Sequence, residues 1–439
     1  MRVAVIGAGI VGVTTAFELA EDGHEVTVYE RHGSLAAEGS FANGGSVAPG
    51  YLAAWSVPGT PGKALLQMTA LHAAWRFGLA TVLQTRWVWR RWRACRPQVQ
   101  QVNRLRLHRL AVFSQAHLQA LTARLHLDYE QQQGQLVLLR SERDLTLLRP
   151  GLEALEELRE PHALLDAAGA RLIEPALSPD APLHAAIHLP GAQVANCRQF
   201  AHLLKAEAQH LGVRFRFRHE VLGITAGSPL SVRVQPRLAQ DTTALASTLT
   251  PDSSDALDVG PQTFDAVVVC AAMGSPALLA PLGLKLPLAA VHGHSITAPL
   301  RLADTAMDTC PRSGVLDERY RVTISRMGNR IRVAGGAELG HARSQLDDNV
   351  LATLYKVLDD WFPAAARTAK ATQWRGTRAM LPDGPPLLGP TGMPGVFMNL
   401  GHGAHGWALG CGSARVVADL VGQRQPAIDL QGLGIDRLR

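Results

Sequence analysis

The chain opens Arg2-Val3-Ala4-Val5-Ile6-Gly7-Ala8-Gly9-Ile10-Val11-Gly12, and Val26-Thr27-Val28-Tyr29-Glu30 closes the same unit. Arg2–Ile6 is a short apolar run suited to a buried strand, and Val26–Tyr29 is a second, β-branched one. Between them Val13, Ala16, Phe17 and Ala20 recur at helical spacing from Ile10 to Asp22, where Gly23 ends the helix. The spacing predicts a β-α-β unit with G-x-G-x-x-G at its first turn and an acid eighteen residues past the third glycine. Gly7 permits the tight turn, Gly9 lets backbone approach a pyrophosphate, and Gly12 lets helix and strand pack closely. The first helical turn, at Ile10 and Val11, offers N–H donors and positive partial charge to phosphates. Glu30, with Arg31 beside it, can accept from a ribose hydroxyl and disfavours a 2′-phosphate. A bare glycine turn would not bring strand, helix, second strand and acid into register, so the stretch reads as a dinucleotide site.

Two later stretches repeat the small-residue pattern. Ser40-Phe41-Ala42-Asn43-Gly44-Gly45-Ser46 leaves the second strand, and Ser40 and Asn43 can bond to phosphates or ring edges. Phe264–Cys270 reads as one buried parallel-type strand followed by a small turn through Gly274. Near the end, Val396–Leu400 is a strand, and Gly401-His402-Gly403-Ala404-His405-Gly406-Trp407 opens a helix through Val421. Other expected elements are a strand in Gln131–Arg140, a helix over Leu145–Ala168, and a helix over Phe200–Leu211 followed by the alternating strand Val213–Arg218. Further strands are expected at Val291–Ala298, Arg319–Ser325 and Arg330–Ala334, with a helix over Leu346–Trp361. The segment 240–261, rich in Ser, Thr, Asp and Pro, reads as a mobile surface insertion. His292 and His294 alternate on one strand without a third ligand, so no metal site is expected.

At 439 residues, with 47% hydrophobic and 18% charged residues, the chain suits a globular protein of two or three domains. Five scattered cysteines without a C-x-x-C pair fit a reducing compartment. A sheet that begins at residue 2 leaves no room for a leader, and no apolar run reaches membrane-span length, so the expected location is the cytoplasm. The net charge of +6 is unevenly spread: residues 63–127 hold eleven Lys or Arg and no acid. Five of the eight tryptophans, Trp55, Trp75, Trp87, Trp89 and Trp92, lie in or beside that segment. Cationic, Trp-rich helices suit an anionic membrane interface, here the inner face of the cytoplasmic membrane. Core tryptophans with a solvated arginine face fit equally well, whereas no nucleic-acid motif accompanies the patch.

Together these segments resemble the D-amino-acid oxidase superfamily of FAD-dependent oxidoreductases, and most closely its D-amino-acid dehydrogenase group. The resemblance rests on the opening fingerprint, Ser40–Tyr51 (S-F-A-N-G-G-S-V-A-P-G-Y), Leu316–Glu338, and Trp374–Gly412. It implies an α/β fold: a Rossmann-like, doubly wound FAD domain from 1–58, 190–285 and 372–439. An α+β substrate domain on a largely antiparallel sheet would then come from 59–189 and 286–371. It implies non-covalent FAD, with Glu30 on the adenosine ribose, Val221 by the adenine, and Ser40, Asn43, Gly44, Gly45 and Ser46 near pyrophosphate and flavin. Gly403, Ala404, His405, Gly406 and Trp407 would meet the flavin pyrimidine edge. Arg378 matches the arginine of a G-L-R-P-x-T-P-D-G pattern that holds a substrate carboxylate, and Tyr51, Tyr320 and His405 complete the expected substrate set. A structural ion pair with Asp383 is the plain alternative for Arg378.

The implied activity is oxidative deamination of D-amino acids to 2-oxo acids and ammonia. Hydride would pass to flavin N5 without a side-chain base, and the electrons on to a quinone or other respiratory-chain acceptor. The alternatives are a related amine oxidoreductase for glycine, sarcosine, proline or hydroxyproline, and a non-catalytic electron-relay subunit. The chain departs from the family pattern at Ala379, Leu381 and His405, and at Ala192–Cys197, which implies an altered substrate preference.

Overall fold

The computed structural model describes residues 1–51, 72–78, 81, 84–237, 260–301, 310–340 and 346–438. Two sheets dominate. The smaller has six strands in the order Leu387–Pro390, Val396–Leu400, Ala266–Val269, Arg2–Ile6, Glu25–Glu30, Arg214–Phe217. Its central pairs are parallel, and only Leu387–Pro390 runs antiparallel. Val3 and Val5 face one core while Ala4 and Ile6 face another, so both sheet faces are covered. That is why the opening run is apolar at every position and not at alternate ones. On one face lie the helices Ile10–Glu21, Pro97–Arg124, Cys197–His210 and Gly406–Val421. The other face meets a three-stranded sheet of His219–Thr225, Leu230–Pro236 and Gly260–Phe264.

The larger sheet has ten strands and is mostly antiparallel; its backbone runs Thr372–Met380, Ala289–Pro299, Arg330–Leu339, Val322–Met327, Gly314–Asp317, Gln132–Leu139, Ala185–Val194, Ser46–Val47. The helix Asp348–Trp361 covers it, burying Trp361, Leu354 and Val357 against Ile296, Val322 and Val333. Thr372–Met380 thus runs in the larger sheet, and the long helix Pro97–Arg124 packs in the core of the smaller one.

Three local expectations need correction. The helix expected over Leu145–Ala168 is Glu142–Glu157. Arg159 at φ +54° ends it, and Ala163–Asp166 becomes a strand on Ala185–Val194. Phe264–Cys270 is two strands, because Asp265 interrupts it and its carboxylate accepts from the Arg2 backbone N–H at 2.7 Å. The strand expected from Arg319 begins only at Val322, after a turn in which Arg321 takes φ +54°. Of the segment 240–261, residues 240–259 lie outside the described residues, and Gly260 and Pro261 pair with Val234 and Arg233.

A charge network ties the helices of the smaller sheet together. Glu18 is 1% exposed, and its two oxygens meet His117 Nε2 and Arg415 Nη1, each at 2.7 Å. Arg415 also holds Asp22 and Asp419, and Arg424 joins the same two acids from the surface. Removing Arg415 takes away one of the two partners of a buried carboxylate, whereas Arg424 is 45% exposed. Arg415→Ala should therefore cost about 3 kcal/mol and Arg424→Ala under about 1 kcal/mol. Urea unfolding of the two FAD-loaded variants checks the difference, and equal losses would contradict it.

Candidate functional site

A cavity of about 560 Å³ lies outside the carboxyl ends of the parallel strands and under the larger sheet. On its wall Gly7 has φ +104°, and a methyl there would lie 2.7 Å from the Cys270 carbonyl oxygen. A methyl on Gly12 would overlap the Gly7 carbonyl, whose carbon is only 2.9 Å from that position. Gly12 therefore stands behind the turn, while Gly7, Gly9, Ile10 and Val11 line the cavity. Ser40 Oγ accepts from the Ile10 N–H at 3.1 Å, which anchors the small-residue loop on the helix amino terminus.

Glu30 sits at the end of its strand with both carboxylate oxygens engaged, accepting from the Ala8 N–H at 2.8 Å and the His32 N–H at 2.9 Å. These bonds hold it at the cavity wall beside Arg31, Tyr29 and Val221. Glu38, not singled out in the sequence, joins them. The bond from His32, opposed by burial and aided by Arg31, holds its carboxyl down at about 2.

The loop from Asn43 to Ser46 runs on along the wall. Asn43 Oδ1 accepts from the Gly45 N–H at 3.0 Å, Gly44 O from Ser325 Oγ at 2.7 Å, and Gly45 O from Trp407 Nε1 at 3.1 Å. The last bond joins this loop to the turn Gly403–Trp407. That turn starts the helix Gly406–Val421, and a methyl on Gly406 would lie within 4.0 Å of both Ile10 and Val11. Two helix amino termini therefore converge on one wall, and neither N-cap residue, Gly9 or His405, caps its helix with a side chain. A cavity whose wall carries an acid after the second strand, a glycine turn and two converging helix termini fits the adenosine, pyrophosphate and ring system of FAD. Gly274 lines it as well. Cys411 is fully buried in its helix, and burial pushes its thiol well up, which suits packing and not attachment.

Arg378 stands on the wall beyond that turn. Its Nη1 donates to Gly336 O at 3.0 Å, and burial pushes its pKa down to about 10, so it remains a cation at neutral pH. Asp383 is held by Arg437 at 2.7 Å. Burial, with Arg378 nearby, pushes His405 down to about 4; burial and His405 push His402 down to about 3. Both imidazoles are neutral at pH 7, and His402 Nε2 lies 3.0 Å from Ser413 Oγ.

Tyr51 lines the cavity, and its hydroxyl donates to Glu318, which also pairs with Arg321 at 2.7 Å. Burial first, then the Glu318 charge, pushes the phenol well up, and burial likewise raises the Glu318 carboxyl. Tyr320, expected beside the substrate, is elsewhere. Asp317 Oδ1 accepts from the Tyr320 N–H at 3.1 Å, and the ring lies under the Arg140 guanidinium at 4.9 Å. The next residue, Arg321, takes the cavity position instead. Arg321 lies inside the quoted Leu316–Glu338 motif, but nothing in its spacing tells which of the two neighbours turns inward. Trp374 and Gly336 are further cavity residues to which the sequence assigns no role. Among the described residues no group of three or more His, Cys, Asp or Glu could hold a metal ion.

Comparison with known proteins agrees with this arrangement. Residues 2–420 match the family described as DAO, FAD dependent oxidoreductase. A protein of Rhizorhabdus wittichii named D-amino acid dehydrogenase is 38% identical over 441 residues, covering 100% of both chains. One of the same name from Cereibacter sphaeroides is 39% identical over 100% of this chain and 95% of its own. Among solved structures, glycine oxidase from Geobacillus kaustophilus superposes with TM-score 0.73 at 20% identity, over 99% of this chain and 98% of its own. L-proline dehydrogenase from P. horikoshii gives 0.71 at 16%, over 100% and 97%. The chain belongs to the FAD-dependent oxidoreductase family, and FAD is its cofactor.

Proposed function

We propose that this protein is an amino-acid dehydrogenase that converts D-amino acids to 2-oxo acids and ammonia. The carrying observation is Arg378, a permanent cation on the cavity wall near the Gly403–Trp407 turn. A guanidinium can grip a carboxylate with two parallel N–H···O bonds and so fix the Cα beside it. FAD supplies the two-electron acceptor for the Cα hydrogen. The chain's own work is binding and positioning: Arg378 takes the carboxylate, Tyr51 and Arg321 wall the cavity, and neutral His405 adds no competing charge. The amine must be neutral before oxidation, and the resulting imine is hydrolysed by water. The names of the full-length relatives support the D-amino-acid substrate.

The electrons are proposed to pass to a quinone-type acceptor at a membrane surface. No described helix is long and apolar enough to cross a membrane. The helix Thr85–Ala94 instead buries Trp87, whose Nε1 donates to Met380 O at 3.1 Å, and leaves Trp89 52% and Trp92 49% exposed. Arg93 lies over Trp89 and Arg96 over Trp92, and Val88, Val99, Val102 and Leu105 extend the exposed apolar surface. Half-exposed indoles among arginines suit the headgroup level of an anionic membrane, at about 1 kcal/mol per basic residue engaged.

Two outcomes are expected. Arg378→Lys should keep FAD and fold while kcat/KM for amino acids falls roughly ten- to a hundredfold. Amino-acid amides, which lack the carboxylate, should be slowed much less; equal slowing of acids and amides would make the arginine structural. In flotation assays the protein should rise with anionic liposomes at low salt and be released at high salt. Equal recovery in the soluble fraction under all conditions would remove the membrane reading.

A further inference from the structure

Gly293 and Gly376 stand directly opposite each other where Ala289–Pro299 pairs with Thr372–Met380. Opposed residues share a sheet face, and so do residues two apart along a strand. Trp374 and Arg378 therefore flank Gly376 on that face. Neither side chain stands away from the sheet. A methyl built on Gly293 would overlap Arg378 Nη2 and lie 2.5 Å from Cζ and 3.1 Å from Nε. A methyl on Gly376 would overlap the tip of the Trp374 indole and lie 2.6 Å from Cζ2. Neither glycine is among the residues of positive φ, so the backbone itself does not demand glycine at either place.

We propose that the Gly293–Gly376 pair is the positioning floor of the carboxylate site. The Arg378 guanidinium lies over it from one side and the Trp374 indole from the other. Two further contacts lock this arrangement: Gly336 O accepts from Arg378 Nη1 at 3.0 Å, and Trp374 stacks on Phe41 at 5.9 Å. With one edge tied and one face on the floor, the guanidinium keeps a fixed direction toward the cavity that Arg378 lines. A long flexible side chain would otherwise lose much of its rotamer freedom when the substrate binds. The inference rests on the reading of Arg378 as the carboxylate anchor.

The atoms that a Gly293 methyl would meet are the far end of a flexible side chain, so the arginine should move while the sheet stays. Gly293→Ala should keep FAD and lower kcat/KM for amino acids at least about tenfold, since small misplacements of a binding group cost that much. Activity on the matching amides should fall less than about threefold. The effect should vanish in an Arg378→Ala background, because the two positions then no longer touch. If acids and amides fall equally, or the loss persists without Arg378, the glycine serves the sheet and the proposal fails. If Arg378→Lys discriminates acids from amides and Gly293→Ala does not, the floor is wrong while the carboxylate reading stands. If neither variant discriminates, the reading of Arg378 itself fails. Should Gly293→Ala not fold, the double variant with Arg378→Ala decides: recovery of soluble FAD-bound protein supports the clash, and continued failure overturns it.

Discussion

A backbone contact between the first helix and the turn before it sets the position of the whole site. Gly12 lies so close to the Gly7 carbonyl that no side chain fits between them. The helix therefore starts directly at the carboxyl ends of the parallel strands, with Ile10 and Val11 of its first turn on the cavity wall. The last helix also packs on the first, at ordinary van der Waals distance. A methyl on Gly410 would lie 3.6 Å from Ile10, and Thr14 Oγ1 donates to Gly410 O at 3.2 Å. The long helix repeats the device, with Ser114 Oγ accepting from the Gly412 N–H at 3.0 Å. Small residues at these crossings bring segments some four hundred positions apart onto one cavity wall.

The wall around Arg378 follows a different rule, that of charge held against desolvation. Burial disfavours the Arg378 cation, yet its pKa near 10 leaves it charged at pH 7, and the neighbouring histidines are held neutral. The wall around Arg378 thus carries one cation beside two neutral imidazoles. On the opposite side Glu318, Arg321 and Tyr51 form a closed set whose members neutralise and restrain one another. Such a set shapes a wall more readily than it binds a second charge.

The cofactor half was legible in the sequence because each of its elements has a local signature. A glycine turn between a β-branched strand and a helix has few other uses, and the acid after the second strand is fixed by register. The substrate half depends on side-chain direction at turns, which periodicity does not carry. Tyr320 and Arg321 are adjacent, and at the turn after the Asp317 cap, where Arg321 is left-handed, the first packs against buried Arg140 and the second lines the cavity. Asp265 hides in an apolar run that reads as one strand, although its carboxylate bonds to the Arg2 N–H at the point where one strand ends and the next begins. The floor made by Gly293 and Gly376 was equally hidden, because these glycines answer to cross-strand neighbours and not to their own backbone.

On the proposed function, a flavin bound in this cavity takes electrons from the Cα of a D-amino acid. Anaerobic mixing of the purified yellow protein with a panel of D- and L-amino acids tests it most directly. D-amino acids should remove the flavin's visible absorbance and release the matching 2-oxo acid and ammonia, and the L-enantiomers should cause no bleaching. Bleaching by L-amino acids or by glycine-type amines alone would reassign the substrate. No bleaching by any amine, with the flavin still reducible by dithionite, would mean that the protein does not oxidise amines.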